Sequence, residues 1–381
     1  MKFLFVVPPL TGHVNPTISV ARVLEARGHE VAWVGHPGKV RPLLPAGARL
    51  FSLPERVDTD HAAAVRDKAA TSRGAAALKF LWEDFLVPLA RSMRPGIEAA
   101  VTEFSPDVMC VDQQAVAGGL VARMRGLPWA TLATTSAGIS DPLAALPHVK
   151  RWFDDLIHSL EAEAGLPRSG ELSPYLVLAF TTSALVPAPF PPHYKLVGPS
   201  IADRPETTAF PFEQLQRPCV LVSMGTVNAD ASGRFYDVTV QALADQPYQV
   251  ILVAPAELVP RTPASFLVRA YVPQLALLSR VDAVVCHGGH NTTCEALAHG
   301  LPLVIAPIKD DQPIVADQVV AAGAGIRLKF GRVQAPELRA AVARALSDPS
   351  LRIAAARIRD SFTAAGGATA AATHLEMLGA R

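Results

Sequence analysis

Short apolar runs alternate along the chain with longer amphipathic stretches. Phe3 to Pro8 is a strand of the buried type, bulky and uncharged. A polar loop containing Thr11, Gly12 and His13 follows, and Asn15 then caps a helix with Pro16 at its first position, running to about Arg27. Gly28-His29 turns the chain into a strand from Glu30 to Val34. Strand, loop, helix, turn and strand in that order predict the start of a parallel α/β sheet. Leu50 to Leu53 is a candidate third strand, and residues 54 to 70 are polar and unassigned. The pattern then predicts a long helical stretch over about Ser72 to Glu103, interrupted near Pro88 and Pro95. Asp107 to Val111 is a strand that runs into Asp112-Gln113-Gln114, followed by a helix to about Met124 and a strand from Trp129 to Ala133. Residues 136 to 170 hold a further helix, and Leu176 to Phe180 and Leu196 to Val197 are the last strands of this half.

Pro187 to Pro218 is dense in proline and polar residues and reads as a linker region. The domain expectation is residues 1–200, a linker at 201–217, and a second domain at 218–365. The same rhythm restarts there. Strand Cys219 to Ser223 leads into the turn Met224-Gly225-Thr226 and a helix near Tyr236 to Ala244. Strands Gln249 to Val253 and Phe266 to Ala270, a short helix from Gln274 to Leu278 and a strand from Ala283 to Val285 follow. Beyond the next turn come strand Leu303 to Ala306, the loop Pro307 to Pro313, helix Ile314 to Ala322 and strand Gly325 to Leu328. Helices over about Pro336 to Leu346, Leu351 to Ala364 and Ala370 to Leu378 close the chain.

The stretch His287-Gly288-Gly289-His290-Asn291-Thr292-Thr293-Cys294-Glu295 sits between a strand and a helix. Free amides at a helix N-terminus, at the positive end of its dipole, attract phosphate. Gly288 and Gly289 let the backbone approach a ligand closely. Asn291, Thr292, Thr293 and His287 add short donors, and Glu295, one turn in, can accept hydrogen bonds from a ribose. A helix cap alone needs one such residue, not a Gly-Gly turn set among several polar ones. No GxGxxG follows a strand and no GxxxxGK[ST] is present, so the dinucleotide and P-loop fingerprints are excluded. Ligands of open α/β sheets bind beyond the carboxyl ends of the strands. His13 and Asp112 both follow strands of the first half, and a site between the halves is expected.

Composition narrows the function classes. The chain has 381 residues, half of them hydrophobic, enough for two cores. A net charge of +1 points to neither nucleic acid nor an anionic membrane. The four cysteines form no C-x-x-C pair, which fits a reducing, cytoplasmic setting. The apolar N-terminal run is too short for a signal peptide, and no run is long enough to span a bilayer.

Gly12-His13-Val14-Asn15-Pro16, Val222-Ser223-Met224-Gly225-Thr226, Tyr271-Val272-Pro273-Gln274, His287 to Glu295 and Asp310-Asp311-Gln312-Pro313 occur in this order. Together they resemble the UDP-glycosyltransferase-like superfamily of inverting enzymes with the GT-B fold, in particular actinobacterial members that decorate natural products. The resemblance covers the whole chain. It implies two Rossmann-like domains across a cleft, the first binding the acceptor and the second the nucleotide sugar, with the last helix, within 366–381, crossing back onto the first. It implies His13 as general base and Asp112 as the carboxylate that orients it. It places Ser223 and Thr226 on the diphosphate, and Tyr271, Val272 and Gln274 beside the base. It gives His287, Gly288, Gly289, Asn291 and Thr292 to the diphosphate, Glu295 to the ribose, and Asp311 and Gln312 to the sugar hydroxyls. It implies a UDP- or dTDP-sugar donor, a hydrophobic small-molecule acceptor, no metal and no resident cofactor, and it leaves room for a homodimer. Tyr271 and His290 stand where plant members carry tryptophan, which leaves uracil or thymine open as the base.

Competing readings stand beside these. His13 can be a loop residue capping a helix, and Asp112 a cap. Asp58-Thr59-Asp60 is a D-x-D, a metal-binding pattern in other glycosyltransferases, but it lies in a polar loop far from the phosphate turn. His287 and His290 have ligand-like spacing without a third ligand nearby. Phe80, Trp82, Phe85 and Trp152 are either plain core or the wall of an apolar acceptor pocket. Alternative functions are another GT-B enzyme, such as a lipid-linked sugar transferase or a nucleotide-sugar epimerase, and an inactive nucleotide-sugar-binding auxiliary protein.

Overall fold

The structure, a computed structural model, describes residues 1–54, 75–140, 143–187, 189–201, 209–225 and 232–380. The chain divides into two compact units. The first comprises Met1–Thr182, Ala188–Ala202 and Ala365–Arg381, and the second Ser183–Pro187 and Asp203–Ala364.

The first unit is built on strands β1 (Lys2–Val6), β2 (Glu30–Gly35), β3 (Arg49–Ser52), β4 (Val108–Asp112), β5 (Trp129–Ala133), β6 (Val177–Ala179) and β7 (Tyr194–Leu196). They form one seven-stranded sheet in the order β3-β2-β1-β4-β5-β6-β7, and every neighbouring pair is parallel. Parallel sheets carry helices on both faces, so their central strands are apolar throughout rather than alternating. Successive residues of β1 still point to opposite sides. Phe3 and Phe5 enter a core with Trp33, Leu24 and Leu375, while Leu4 and Val6 meet Met93, Ile97 and Phe104 on the other face. The order reverses between β1 and β4, which creates a crevice at their carboxyl ends.

Helix α1 spans Thr11–Ala26, so His13 and Asn15 lie inside it rather than before it. The Leu10 carbonyl accepts from the amides of His13 and Val14, a main-chain cap with no side-chain signature. Pro16 therefore sits within the helix and not at its first position, where it removes one helical hydrogen bond. The long helical stretch is observed as Ala75–Lys79, a wide-turned segment Phe80–Leu86, and α2 (Val87–Phe104). The Val87 amide reaches back five residues to the Trp82 carbonyl, so the chain widens ahead of Pro88 instead of breaking. Pro95 is accommodated inside α2. After α3 (Val116–Met124), the helix expected over 136–170 is confined to α4 (Pro147–Glu163). Arg123 and the buried Glu161, 2.6 Å apart, tie α3 to α4.

The second unit carries β8 (Cys219–Ser223), β9 (Gln249–Val253), β10 (Phe266–Arg269), β11 (Ala283–Cys286), β12 (Leu303–Ile305) and β13 (Gly325–Arg327). Their order is β10-β9-β8-β11-β12-β13, again all parallel, with the reversal between β8 and β11. Helices α5 (Gly233–Leu243), α6 (His290–Ala298), α7 (Gln312–Ala321), α8 (Ala335–Ser347) and α9 (Pro349–Ala365) surround it. Phe235 and Tyr236 of α5 and Leu338 and Val342 of α8 pack on Val220, Val222, Leu252 and Val285.

The last helix, α10 (Gly367–Gly379), belongs to the first unit. Ala371, Ala372, Leu375 and Leu378 fill the core around Phe3 and Leu24. Glu376 accepts from Arg27 Nη1 at 2.6 Å and pairs with His29 Nε2 at 2.8 Å. All four cysteines are buried and unbridged. Burial pushes the Cys286 thiol up to about 11 and Cys219 to about 12, so both are inert space-filling groups at neutral pH. Among the described residues no helix is long and apolar enough to cross a membrane.

Candidate active site

In the first unit the chemistry gathers at the carboxyl ends of β1, β4 and β5. Asp112 is the last residue of β4, not a residue beyond it, and is fully buried. His13, in the first turn of α1, places Nδ1 at 2.9 Å from Asp112 Oδ1 and 3.0 Å from Oδ2. The Gln114 amide donates to Oδ1 at 2.8 Å. Sequence reasoning missed a third member, Thr134, which follows β5 and is 3% exposed. Its hydroxyl lies 2.6 Å from Asp112 Oδ2 and 2.8 Å from His13 Nδ1. The available signal was the polar run Thr134-Thr135-Ser136 directly after a fully buried strand, at the same sheet edge as Asp112. Gln113 and Gln114 each bury a carboxamide oxygen there without a hydrogen-bond partner.

The proton on His13 follows from these partners. A carboxylate only accepts, and the Thr134 hydroxyl spends its one hydrogen on Asp112. Nδ1 thus faces acceptors and carries the ring proton, which leaves a lone pair on Nε2. An imidazole held in this way is able to take a proton from a hydroxyl, and the carboxylate would balance the imidazolium that forms.

In the second unit the chain leaves β11 through His287 and the two glycines and enters α6 at His290. Gly289 is the extended cap residue, and Gly288 holds φ +86°. A Cβ at Gly288 would lie 2.9 Å from the Ile305 methyl and 3.1 Å from the Gln312 carbonyl, so only glycine fits. Gly225, after β8, also has positive φ, and a Cβ there would lie 2.7 Å from the His287 ring. One on Gly289 would lie 2.5 Å from it. The imidazole is therefore wedged between the turns that follow β8 and β11. Desolvation holds its pKa below the ordinary 6.5, against the opposing pull of Asp311 and a backbone hydrogen bond to Ser223. Its Nδ1 is shielded from solvent and has no hydrogen-bond partner.

The other expected nucleotide-sugar residues lie in this unit. Ser223 ends β8 and is buried. Asn291 and Thr292 occupy the first turn of α6, half-buried. Glu295 is 2% exposed and accepts from Gln274 Nε2 at 2.5 Å, which joins two residues expected on different parts of the ligand. Val272 is half-buried, whereas the Tyr271 ring is 68% exposed and presents an aromatic face to solvent. Asp311 caps α7. Gln312 turns its side-chain oxygen back to the amides of Ile308 and Lys309, at 2.9 and 3.1 Å, which leaves its NH2 as the group able to donate outward. Asp310 holds φ +56°, a left-handed conformation costly for a non-glycine residue and most often retained at functional loops. Thr226 and Asp58-Thr59-Asp60 lie outside the described residues.

Of the apolar candidates, Trp82 packs edge-to-face on Phe153 at 4.6 Å and lies partly buried against the core of the first unit. Trp152 Nε1 donates to Glu83 at 2.8 Å. Phe80 and Phe85 are half-buried in the wide-turned segment.

Comparison with known proteins completes the picture. Residues 238–378 match the family model described as "Erythromycin biosynthesis protein CIII-like, C-terminal domain". The 4'-demethylrebeccamycin synthase of Lentzea aerocolonigenes is 31% identical, over 95% of this chain and 96% of its own. Demethyllactenocin mycarosyltransferase of Streptomyces fradiae is 30% identical, over 98% of this chain and 86% of its own. Among solved structures, the kitacinnamycin glycosyltransferase superposes with a TM-score of 0.78 at 26% identity, covering 99% of this chain and 98% of that one. The calicheamicin glycosyltransferase CalG4 gives 0.79 at 23% identity, over 100% and 98%. With two parallel α/β sheets of this kind and relatives that match nearly end to end, the chain belongs to the UDP-glycosyltransferase-like family of GT-B glycosyltransferases.

Proposed function

We propose that the protein transfers a hexose or deoxyhexose from UDP or dTDP to a hydroxyl group of a hydrophobic small molecule, with inversion at the anomeric carbon. His13 Nε2 takes the proton from the acceptor hydroxyl as its oxygen attacks that carbon. Asp112 holds the ring and balances its positive charge. The bond from the sugar to the diphosphate oxygen breaks, and the nucleoside diphosphate leaves with its added negative charge. The N-terminus of α6 receives that charge, where fixed donors in a dry site act most strongly, and His287 holds the turn that leads into it. Tyr271 offers a stacking face for the base, and Glu295, steadied by Gln274, accepts from the ribose. Asp311 and the Gln312 NH2 engage the sugar. The nucleotide sugar is a substrate in this reading, and no resident cofactor takes part.

The observation that carries the reading is the 2.9 Å contact between His13 Nδ1 and the buried Asp112. The relatives support the donor class: one is named a mycarosyltransferase, and the fold neighbours VinC and SpnG were solved with dTDP and thymidine diphosphate. The test is turnover of UDP- and dTDP-sugars with a panel of hydrophobic aglycones. Transfer that depends on His13 is expected, and a His13→Ala protein with full O-glycosylation would overturn the assigned base.

A further inference from the structure

We propose that Thr134 is a positioning residue of the acid–base pair: its hydroxyl locks Asp112 and fixes the tautomer of His13. The inference rests on His13 acting as the base and adds a residue that the motifs do not reach. Parallel pairing sets Asp112 opposite Leu132, and Thr134 lies two residues on, just past the end of β5 at the same sheet edge. The Thr134 amide turns back to the Leu132 carbonyl at 3.1 Å, which anchors the main chain where the side chain is needed. Threonine is also stiff at χ1, so a fixed backbone fixes the hydroxyl.

Three donors meet the Asp112 carboxylate: the Gln114 amide on Oδ1, the Thr134 hydroxyl on Oδ2, and His13 Nδ1 between both oxygens. Without the hydroxyl, Oδ2 of a fully buried carboxylate keeps only its share of the imidazole. The carboxylate is then free to rotate away from the symmetric contact with Nδ1. The hydroxyl oxygen, with its hydrogen committed to Asp112, also turns a lone pair toward Nδ1 at 2.8 Å. It closes the position that a wrongly protonated imidazole would need. Thr134 touches neither reacting atom and acts through the pair.

The experiment compares Thr134→Val, which keeps the shape and loses the hydroxyl, with Thr134→Ser, which keeps the hydroxyl. Nitrogen-15 NMR of the His13 imidazole, assigned with His13→Gln, reads the tautomer with no substrate present. Wild type and Thr134→Ser are expected to show the Nδ1–H form, and Thr134→Val a mixture of tautomers. With a turned-over donor and acceptor, Thr134→Val is expected to lower kcat on the order of tenfold to a hundredfold, the range for a lost hydrogen bond to a charged group, with the donor KM unchanged. Unchanged His13 signals in Thr134→Val overturn the proposal, and so do equal changes in both variants. Failure of the base assignment is read separately: it is signalled by full turnover in His13→Ala.

Discussion

At the carboxyl end of the first sheet, Asp112, His13 and Thr134 are side chains joined to one another at 2.6 to 3.0 Å. At the same end of the second sheet the working surface is largely main chain, shaped by Gly225, Gly288 and Gly289, with the Nδ1 of His287 left unpartnered. The first arrangement settles its own charges and presents one reactive lone pair. The second sets a helix N-terminus, whose first amides have no partner within the helix, directly after a strand. One fold type thus ends its strands in linked polar side chains at one edge and in glycine turns at the other, and the proposed base and the proposed anion cradle follow from that difference. Polar side chains there make a base, whereas glycines expose amides.

The largest expected effect separates these roles. His13→Ala should lower kcat about 10²- to 10⁴-fold, the usual weight of a general base, while leaving the affinity for UDP or dTDP intact. A matching loss of nucleotide affinity, read by calorimetry, would erase the division of labour. The mirror experiment is His287→Ala. Removing the ring wedged between the two glycine turns should weaken nucleotide binding about tenfold, with the His13–Asp112 contact undisturbed. Gly288→Ala should destabilise the chain by roughly 1–2 kcal/mol through its left-handed backbone alone, before any clash with Ile305, and a denaturant midpoint in the wild-type range would show that the turn tolerates side chains. The smallest effect concerns Glu376, which fastens α10 to the first unit. Burial raises its pKa, but hydrogen bonds from His29 and Arg27 outweigh burial and leave it below the ordinary 4.5. The folded state therefore holds this proton less tightly than the unfolded chain. The stabilisation is full above pH 4.5 and is lost as pH falls through the lower folded value. Glu376→Gln should cost less than about 1 kcal/mol at neutral pH and nothing in acid, as measured by thermal melts across that range.

Local features were legible because they are written in consecutive residues. The apolar runs located the strands of both sheets, and β5 was read to the residue. The glycine turn before α6 was likewise evident, since its chemistry lies in adjacent positions. The start of α1 is not legible in the residues because its cap is the carbonyl of Leu10, which no residue type announces. The wide turn ahead of Pro88 escaped for a related reason: a helix with packing on its flanks bends around proline where an isolated one would stop.

The chain's own order of residues determined which strands are buried on both faces, where a glycine turn leads into a helix N-terminus, and that an imidazole and a carboxylate each lie near the carboxyl end of a strand. Only the tertiary structure decided that Thr134 completes that pair across 121 positions, that Gln274 grips Glu295, and that the final helix fills the core beside Phe3. The reason is physical. Periodicity and turns are set by neighbours along the backbone, whereas a hydrogen bond between distant side chains exists only after strand order and register have brought their ends together.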